Sequence, residues 1–329
     1  MPVVTEALPK PLPQTIMKVV NCRPVSVILL VAISLLLSVS YLSKEKKLLA
    51  INTHATDNIQ KVTRGPRTLI VLAFAECGDI CTRNLQYFTR VGIHKHESND
   101  YIIVSNGECN YCKSDEFKQR LKYDNVKFIE RENKGYDFGA YYAALQSVDI
   151  DKYKYFIFFN AGMRGPHVPR DQIKDIKEWP KKFTSLLNDK VKLVGPSISC
   201  EFQIHVQSFL FATDIVGVKL FLQKGVFFSD GVSIEELINR CEFGMTNHIF
   251  EAGYTVDSLG AWDSKYNFKE LWKKDKGSGA CFNGRNPTGF DWYGENYAMP
   301  PLLSVFIKRG GTSSIIKYQY LMSFREHQK

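Results

Sequence analysis

The sequence has 329 residues, 44% of them hydrophobic, with ordinary Gly and Pro usage, enough to bury one large core or two modest ones without help from disulfides. Its formal charge is +9, yet Lys and Arg are scattered among 34 acidic residues and form no long block. The basic, aromatic-interleaved motifs of RNA-binding folds are missing, so nucleic acid is not an expected partner, whereas a basic surface suits anionic ligands such as nucleotide diphosphates.

Residues 1–23 carry Pro2, Pro9, Pro11 and Pro13 with little apolar periodicity, which suits a flexible tail. No charge appears from Pro24 to Ser43, and Val25 to Leu42 is long and apolar enough for one membrane-spanning helix, so residues 24–43 are expected to be an anchor in contact with a membrane. A cleaved signal peptide is the competing reading, but more than twenty residues precede the apolar run. Lys10, Lys18 and Arg23 before it and Lys44, Lys46 and Lys47 after it nearly tie the positive-inside count. No acceptor sequon occurs, because Asn286 is followed by Pro287. Residues 44–66 read as a polar stem, and residues 67–329 as the globular part.

That part opens with an apolar strand, Thr68 to Phe74, which turns at Glu76-Cys-Gly-Asp79 into a helix through Leu85 and Phe88. Strand Tyr101 to Val104, a helix from Ser114 to Tyr123 and strand Val126 to Ile129 continue the alternation, which argues for a mainly parallel α/β sheet buried on both faces. After Asn133-Lys-Gly-Tyr-Asp-Phe-Gly139 comes a helical pattern at Ala140, Tyr141, Ala144 and Leu145. The most apolar strand of the chain, Tyr155 to Phe159, follows and is expected at the sheet centre. It runs into Asn160-Ala-Gly-Met-Arg-Gly-Pro166, an irregular loop at the strand edge where ligands of open α/β sheets bind. Val191 to Pro196, Ser208 to Ala212 and Leu302 to Ile307 read as further strands, and Ile234 to Arg240 and Asn247 to Ala252 as helices. Seven of the eight cysteines lie beyond the apolar segment, so at least one thiol there stays free. Cys109 and Cys112 with His94 and His96 match no common zinc finger and suit a disulfide or free thiols better.

Asn133 to Gly139 followed by Tyr155 to Asn160 and Arg164-Gly-Pro166 resembles the rhamnan synthesis protein F-like and related polysaccharide-synthesis glycosyltransferases, over roughly residues 68 to 310. Three later blocks fit the same relatives: Gly195-Pro196 with His205-Val-Gln-Ser208, Cys241-Glu-Phe-Gly244 with Ala252-Gly-Tyr254, and Cys281 to Pro287 with Pro301 and Phe306-Ile-Lys308. The resemblance implies a GT-A-like fold, a mixed and mainly parallel sheet flanked by helices. It also implies transfer of a sugar from a nucleotide-sugar donor to a glycan or glycolipid hydroxyl. A type II membrane protein of the Golgi or another secretory-pathway membrane would follow, if the source is eukaryotic.

Asn133, Gly135 and Asp137 stand between a strand and a helix, where amides and a carboxylate can meet the donor; the alternative is a tight turn with Asp137 as helix cap. Many GT-A enzymes end the central strand in Asp-x-Asp, which holds Mg²⁺ or Mn²⁺ against the diphosphate. Here that position reads Asn160-Ala-Gly162, and Asp149-Ile-Asp151 lies at the wrong edge. A divalent cation stays open as a cofactor, with Arg164 and loop amides as the other way to neutralise the leaving group, and no metal ligand is assigned. His205 and Gln207 project to one face of an extended segment, as donor or acceptor contacts or as structural groups. The segment Cys241 to Tyr254 resembles the one carrying the acidic base of inverting family 2-like transferases, which makes Glu242 the expected base; a Glu starting a helix also serves the dipole alone. Trp262 and Asp263, like Trp292 and Tyr293, offer the aromatic-plus-polar pairing that sugars use, or are ordinary core or rim residues. A noncatalytic module that holds a glycan or partner on the same fold is the alternative function.

Overall fold

The computed structural model describes residues 66–168, 176–260, 266–280 and 305–308. The tail, the expected anchor at 24–43, the stem up to residue 65, Trp262, Asp263, Trp292 and Tyr293 lie outside the described residues. Among the described residues no helix is long and apolar enough to cross a membrane. The described residues belong to one compact unit.

The strands are β1 (Thr68–Phe74), β2 (Asn99–Asn106), β3 (Val126–Arg131), β4 (Tyr155–Asn160), β5 (Met163–Arg164), β6 (Val191–Gly195), β7 (Ile198–Ser199), β8 (His205–Val206), β9 (Leu210–Asp214), β10 (Thr255–Ser258) and β11 (Ile307–Lys308). The helices are α1 (Asp79–Val91), α2 (Asp115–Arg120), α3 (Tyr136–Gln146), α4 (Lys181–Thr184), α5 (Ile215–Gln223), α6 (Ile234–Leu237), α7 (Gly244–Glu251) and α8 (Phe268–Trp272). A seven-stranded sheet runs in the order β10-β6-β9-β4-β1-β2-β3. All neighbours are parallel except β9, which is antiparallel to both β4 and β6. The mixed, mainly parallel sheet with flanking helices expected from the sequence is therefore present, with β4 at its centre.

Unbroken apolar runs form the central strands because both faces of the sheet are covered. Along β1, Leu69, Val71 and Ala73 join the core on one face, and Ile70, Leu72 and Phe74 join the core on the other. β4 divides in the same way, Phe156 and Phe158 against Ile157 and Phe159, all fully buried. Full burial of each such side chain stabilises the fold by roughly 1.5–3 kcal/mol, so this strand anchors the sheet. Helices α3, α5 and α7 cover the first face, and α1 and α4 the second.

The strand order reverses between β1 and β4, the point at which open α/β sheets bind ligands in a crevice at the carboxyl edge. β9 enters at this edge because it runs antiparallel, and the amide of Asn160 donates to the carbonyl of Phe209 just before it, at 3.1 Å. The far C-terminal segment reaches the same place. β11 pairs antiparallel with β5, Lys308 opposite Met163, while the Phe306 ring packs 5.1 Å from both Phe159 and Trp179. Phe306 thus anchors the segment, and a side chain at Gly165 would strike its ring at 2.6 Å. Asp149 to Lys152 form a short turn ahead of β4, with Asp151 paired to Lys219 at 2.6 Å, at the edge opposite the crevice.

Disulfides join Cys77 to Cys81 and Cys109 to Cys112, Cys200 is also disulfide-bonded, and the buried Cys241 is free. Cys109 and Cys112 are therefore not zinc ligands, and among the described residues no group of three or more His, Cys, Asp and Glu could hold a metal ion.

Candidate active site

Gly135 caps α3 in the left-handed conformation, φ 70°, and Tyr136 follows with φ 53°. The turn is held from three sides. Asn106 donates to the Tyr136 carbonyl at 2.8 Å and accepts from Arg131 at 2.7 Å, and Ser229 Oγ donates to the Gly135 carbonyl. A polar groove of about 430 Å³ opens beside it, lined by Asn133 to Tyr136 on one side and Ser229 to Val232 on the other. Asn133 and Gly135 are thus brought to one surface.

Asp137 sits in the first turn of α3 and makes no cap bond, so the capping alternative is replaced by a tertiary contact. Its Oδ2 accepts from the Asn160 side-chain amide at 2.8 Å, and Asn160 Oδ1 accepts from the Gly162 amide at 3.0 Å. The Asp137 carboxyl is pushed above its ordinary pKa, chiefly by burial and also by Glu242, against the opposing effects of Asn160 and Lys308.

Glu242 lies in a π-helical segment, Ile238–Phe243, that joins α6 to α7. It therefore does not start a helix, and a dipole role does not account for it; single π turns inside α-helices are frequent at functional sites. Its side chain keeps 24% of its surface, Oε1 accepts from the Ser208 amide at 3.4 Å, and His205 Nε2 stands 3.7 Å away.

Lys308 is the cation of this group. Its ammonium lies 4.6 Å from the centre of the Phe209 ring, and Glu242 and Asp137 both favour its charged form. Its surface is exposed, yet enough protein surrounds the ammonium that desolvation lowers its pKa overall, as on a cleft wall. In the sequence Lys308 belongs to no charged motif and is only a lone Lys after the apolar Val305-Phe-Ile307, and pairing with β5 alone shows where it lies.

Arg164, expected at the leaving group, is instead 3% exposed with its guanidinium over the Tyr87 ring at 4.2 Å. It presents little surface to a ligand because β5 turns it toward α1. Gln207 is also enclosed, its amide oxygen accepting from Ser197 at 2.8 Å, so it is placed within the protein and not at the cleft surface. His205 is buried against Glu242 and Phe243 and does not share an open face with Gln207. The structure thus joins Asp137 with Asn160, joins His205 with Glu242, and sets Lys308 within electrostatic reach of both carboxylates.

A divalent cation fits poorly here. Hard cations take carboxylate oxygens, while the end of β4 supplies an amide already bonded in both directions and the neighbouring carboxylate stands in the field of Lys308.

A family model described as Rhamnan synthesis protein F matches residues 101–271. Two curated relatives, each described as Virulence protein VirA, from Vibrio anguillarum and from its strain ATCC 68554 / 775, are 32% identical over 108 residues. The match covers 32% of this chain and 31% of either relative, so the chain spans about a third of their length. Among solved structures, the mannosyltransferase PcManGT from Pyrobaculum calidifontis, in complex with GDP-Man and Mn2+, aligns at TM-score 0.40 with 10% identity, over 59% of this chain and 54% of that one. S. aureus TarS 1-349 in complex with UDP-GlcNAc aligns at TM-score 0.34 with 10% identity, over 52% and 51%. Likeness this low transfers no property of either protein.

Proposed function

From this chain's membership of the rhamnan synthesis protein F family, whose model spans more than half of it, we propose that it is a glycosyltransferase moving a sugar from a nucleotide-sugar donor to a hydroxyl of a glycan or glycolipid. The observation that carries this reading is the convergence of Asp137, Asn160, Glu242 and Lys308 at the carboxyl edge beside the strand-order reversal.

In this reading the acceptor oxygen attacks the anomeric carbon with inversion, and its proton passes to the partly exposed carboxylate of Glu242. The nucleotide diphosphate leaves with the electron pair of the broken bond, and Lys308 offsets the charge that develops on it. Asp137, oriented by Asn160, accepts from donor sugar hydroxyls, while Asn133 and the groove beside Gly135 extend the binding surface. No step requires a metal.

Disulfides at Cys77–Cys81 and Cys109–Cys112 support an oxidising compartment, consistent with a type II protein anchored through residues 24–43, in a Golgi or other secretory-pathway membrane if the source is eukaryotic. Digestion of the C-terminal domain by protease added to sealed vesicles would count against that orientation.

The test is transfer from a panel of nucleotide sugars by the full-length chain, with Mn²⁺ and with EDTA, beside Glu242→Gln. Turnover of one donor that collapses in Glu242→Gln and persists in EDTA supports the reading. Donor or glycan binding with no turnover in folded protein would favour a noncatalytic module.

A further inference from the structure

We propose that His205 is a positioning residue for Glu242, accepting a hydrogen bond from the Glu242 carboxyl once it has taken the acceptor's proton. The inference rests on the reading of Glu242 as base and adds a second member to it.

The tautomer of His205 follows from its neighbours. Nδ1 lies 2.9 Å from the Gln203 carbonyl oxygen, which can only accept, so Nδ1 carries the hydrogen and the neutral ring keeps a bare lone pair on Nε2. That lone pair faces Glu242 Oε1 across 3.7 Å. At that separation no hydrogen bond is made between them. A catalytic contact of this kind tightens when a proton arrives.

The ring is not free to turn away. β8 is docked on the helix that follows Glu242 by a bond from the Val206 amide to Thr246 Oγ1 at 2.9 Å, and the Phe243 ring meets the imidazole at 4.7 Å between centres. Exposure is divided to match: the His205 side chain keeps 5% of its surface and Glu242 24%, so the glutamate is the more accessible of the two.

Burial works against the imidazolium, Glu242 and Glu201 favour it, and Lys308 opposes it; the balance holds the His205 pKa below the ordinary imidazole value. At neutral pH the ring is therefore an acceptor. When the acceptor hydroxyl gives its proton to Glu242 as its oxygen bonds to the anomeric carbon, the new carboxyl O–H donates to Nε2. The diphosphate departs with the bonding pair, and Glu242 later returns its proton to water. Ground-state Glu242 gains nothing from the imidazole and protonated Glu242 does, so the interaction acts on the transition state.

Two measurements on the full-length chain test this. In ¹³C-histidine NMR titration, with the His205 signal assigned by its loss in His205→Phe, the ring is expected to be the Nδ1–H tautomer at pH 7, and Glu242→Gln to lower its titration midpoint. An Nε2–H tautomer, or a midpoint indifferent to Glu242→Gln, overturns the dyad. In transfer assays, His205→Phe is expected to lower kcat by about tenfold or more, the worth of one hydrogen bond, with donor KM unchanged. His205→Gln, whose amide oxygen also accepts, restores part of the rate. Coupling in the titration without transfer from any donor would leave the dyad standing and remove the transferase reading. Unchanged kcat in His205→Phe at every pH would overturn the dyad and leave the transferase.

Discussion

Replacing Gly135 with alanine probes how the turn before α3 is held against the loop at Ser229 and Asp230. Gly135 has φ 70°, where an L side chain costs about 1–2 kcal/mol, partly offset by about 0.4–1 kcal/mol because alanine also loses freedom in the unfolded chain. The backbone effect alone is therefore near 1 kcal/mol. A Cβ here would also stand 2.7 Å from Ser229 Oγ and 3.0 Å from the Asp230 amide nitrogen, so the loop must shift and the Ser229 bond to the Gly135 carbonyl is lost, a further ~1–2 kcal/mol. Gly253→Ala is the matched control: its φ is 90° and nothing lies within 4 Å of the added carbon. Urea unfolding of the full-length chain, followed by circular dichroism, should show Gly135→Ala destabilised by about 2–3 kcal/mol and Gly253→Ala by about 1, with similar m-values. Equal losses in the two variants would refute the packing of the turn against residues 229–230, and with it the floor of the groove.

Asp137→Asn keeps an acceptor for Asn160 and removes a carboxylate whose pKa the fold raises. A raised carboxyl contributes stability that is full below its unfolded pKa and is lost as pH rises through the folded value, so the variant should melt higher than wild type at pH 7–8, with the gap closing in acid; its donor binding should weaken. Lys308→Gln should leave the melting temperature nearly unchanged, because Phe306 anchors the segment, while raising donor KM or lowering kcat by about 10–100-fold, the worth of a charge-assisted hydrogen bond; unaltered kinetics would remove Lys308 from the site. Cys109→Ser with Cys112→Ser opens a loop of sequence separation 3, for which loop closure gives about 2 kcal/mol, measurable as a lower urea midpoint than that of the oxidised wild type.

Strand β1 and the central place of β4 were legible because a fully buried parallel strand must be apolar at every position, and few other segments of this chain are. α5 was not: Ile215-Val-Gly-Val218 has the composition of a strand, and the choice is made by Asp214, whose carboxylate caps the Gly217 amide at 3.0 Å and pairs with the buried Lys192 at 2.6 Å. The short strands β5, β7, β8 and β11 carry no periodicity to detect, since two residues make no pattern; long-range pairing alone creates them.

The sequence by itself determined the alternation of strands and helices, the family, and the residue types of the Asn133 to Gly139 turn and of Glu242, because those depend on local periodicity and on motif spacing. Tertiary structure alone decided which charges meet. Arg164 and Lys308 look equally suited to a phosphate as letters, yet the pairing of β5 with β11 stacks Arg164 on Tyr87 and delivers Lys308, 148 residues after Asn160 in the chain, to the edge where Asp137 and Glu242 converge. His205 changed partner for the same reason. Its neighbour in sequence is Gln207, but the docking of β8 on α7 turns its imidazole to Glu242, a contact set by packing between segments that no spacing encodes.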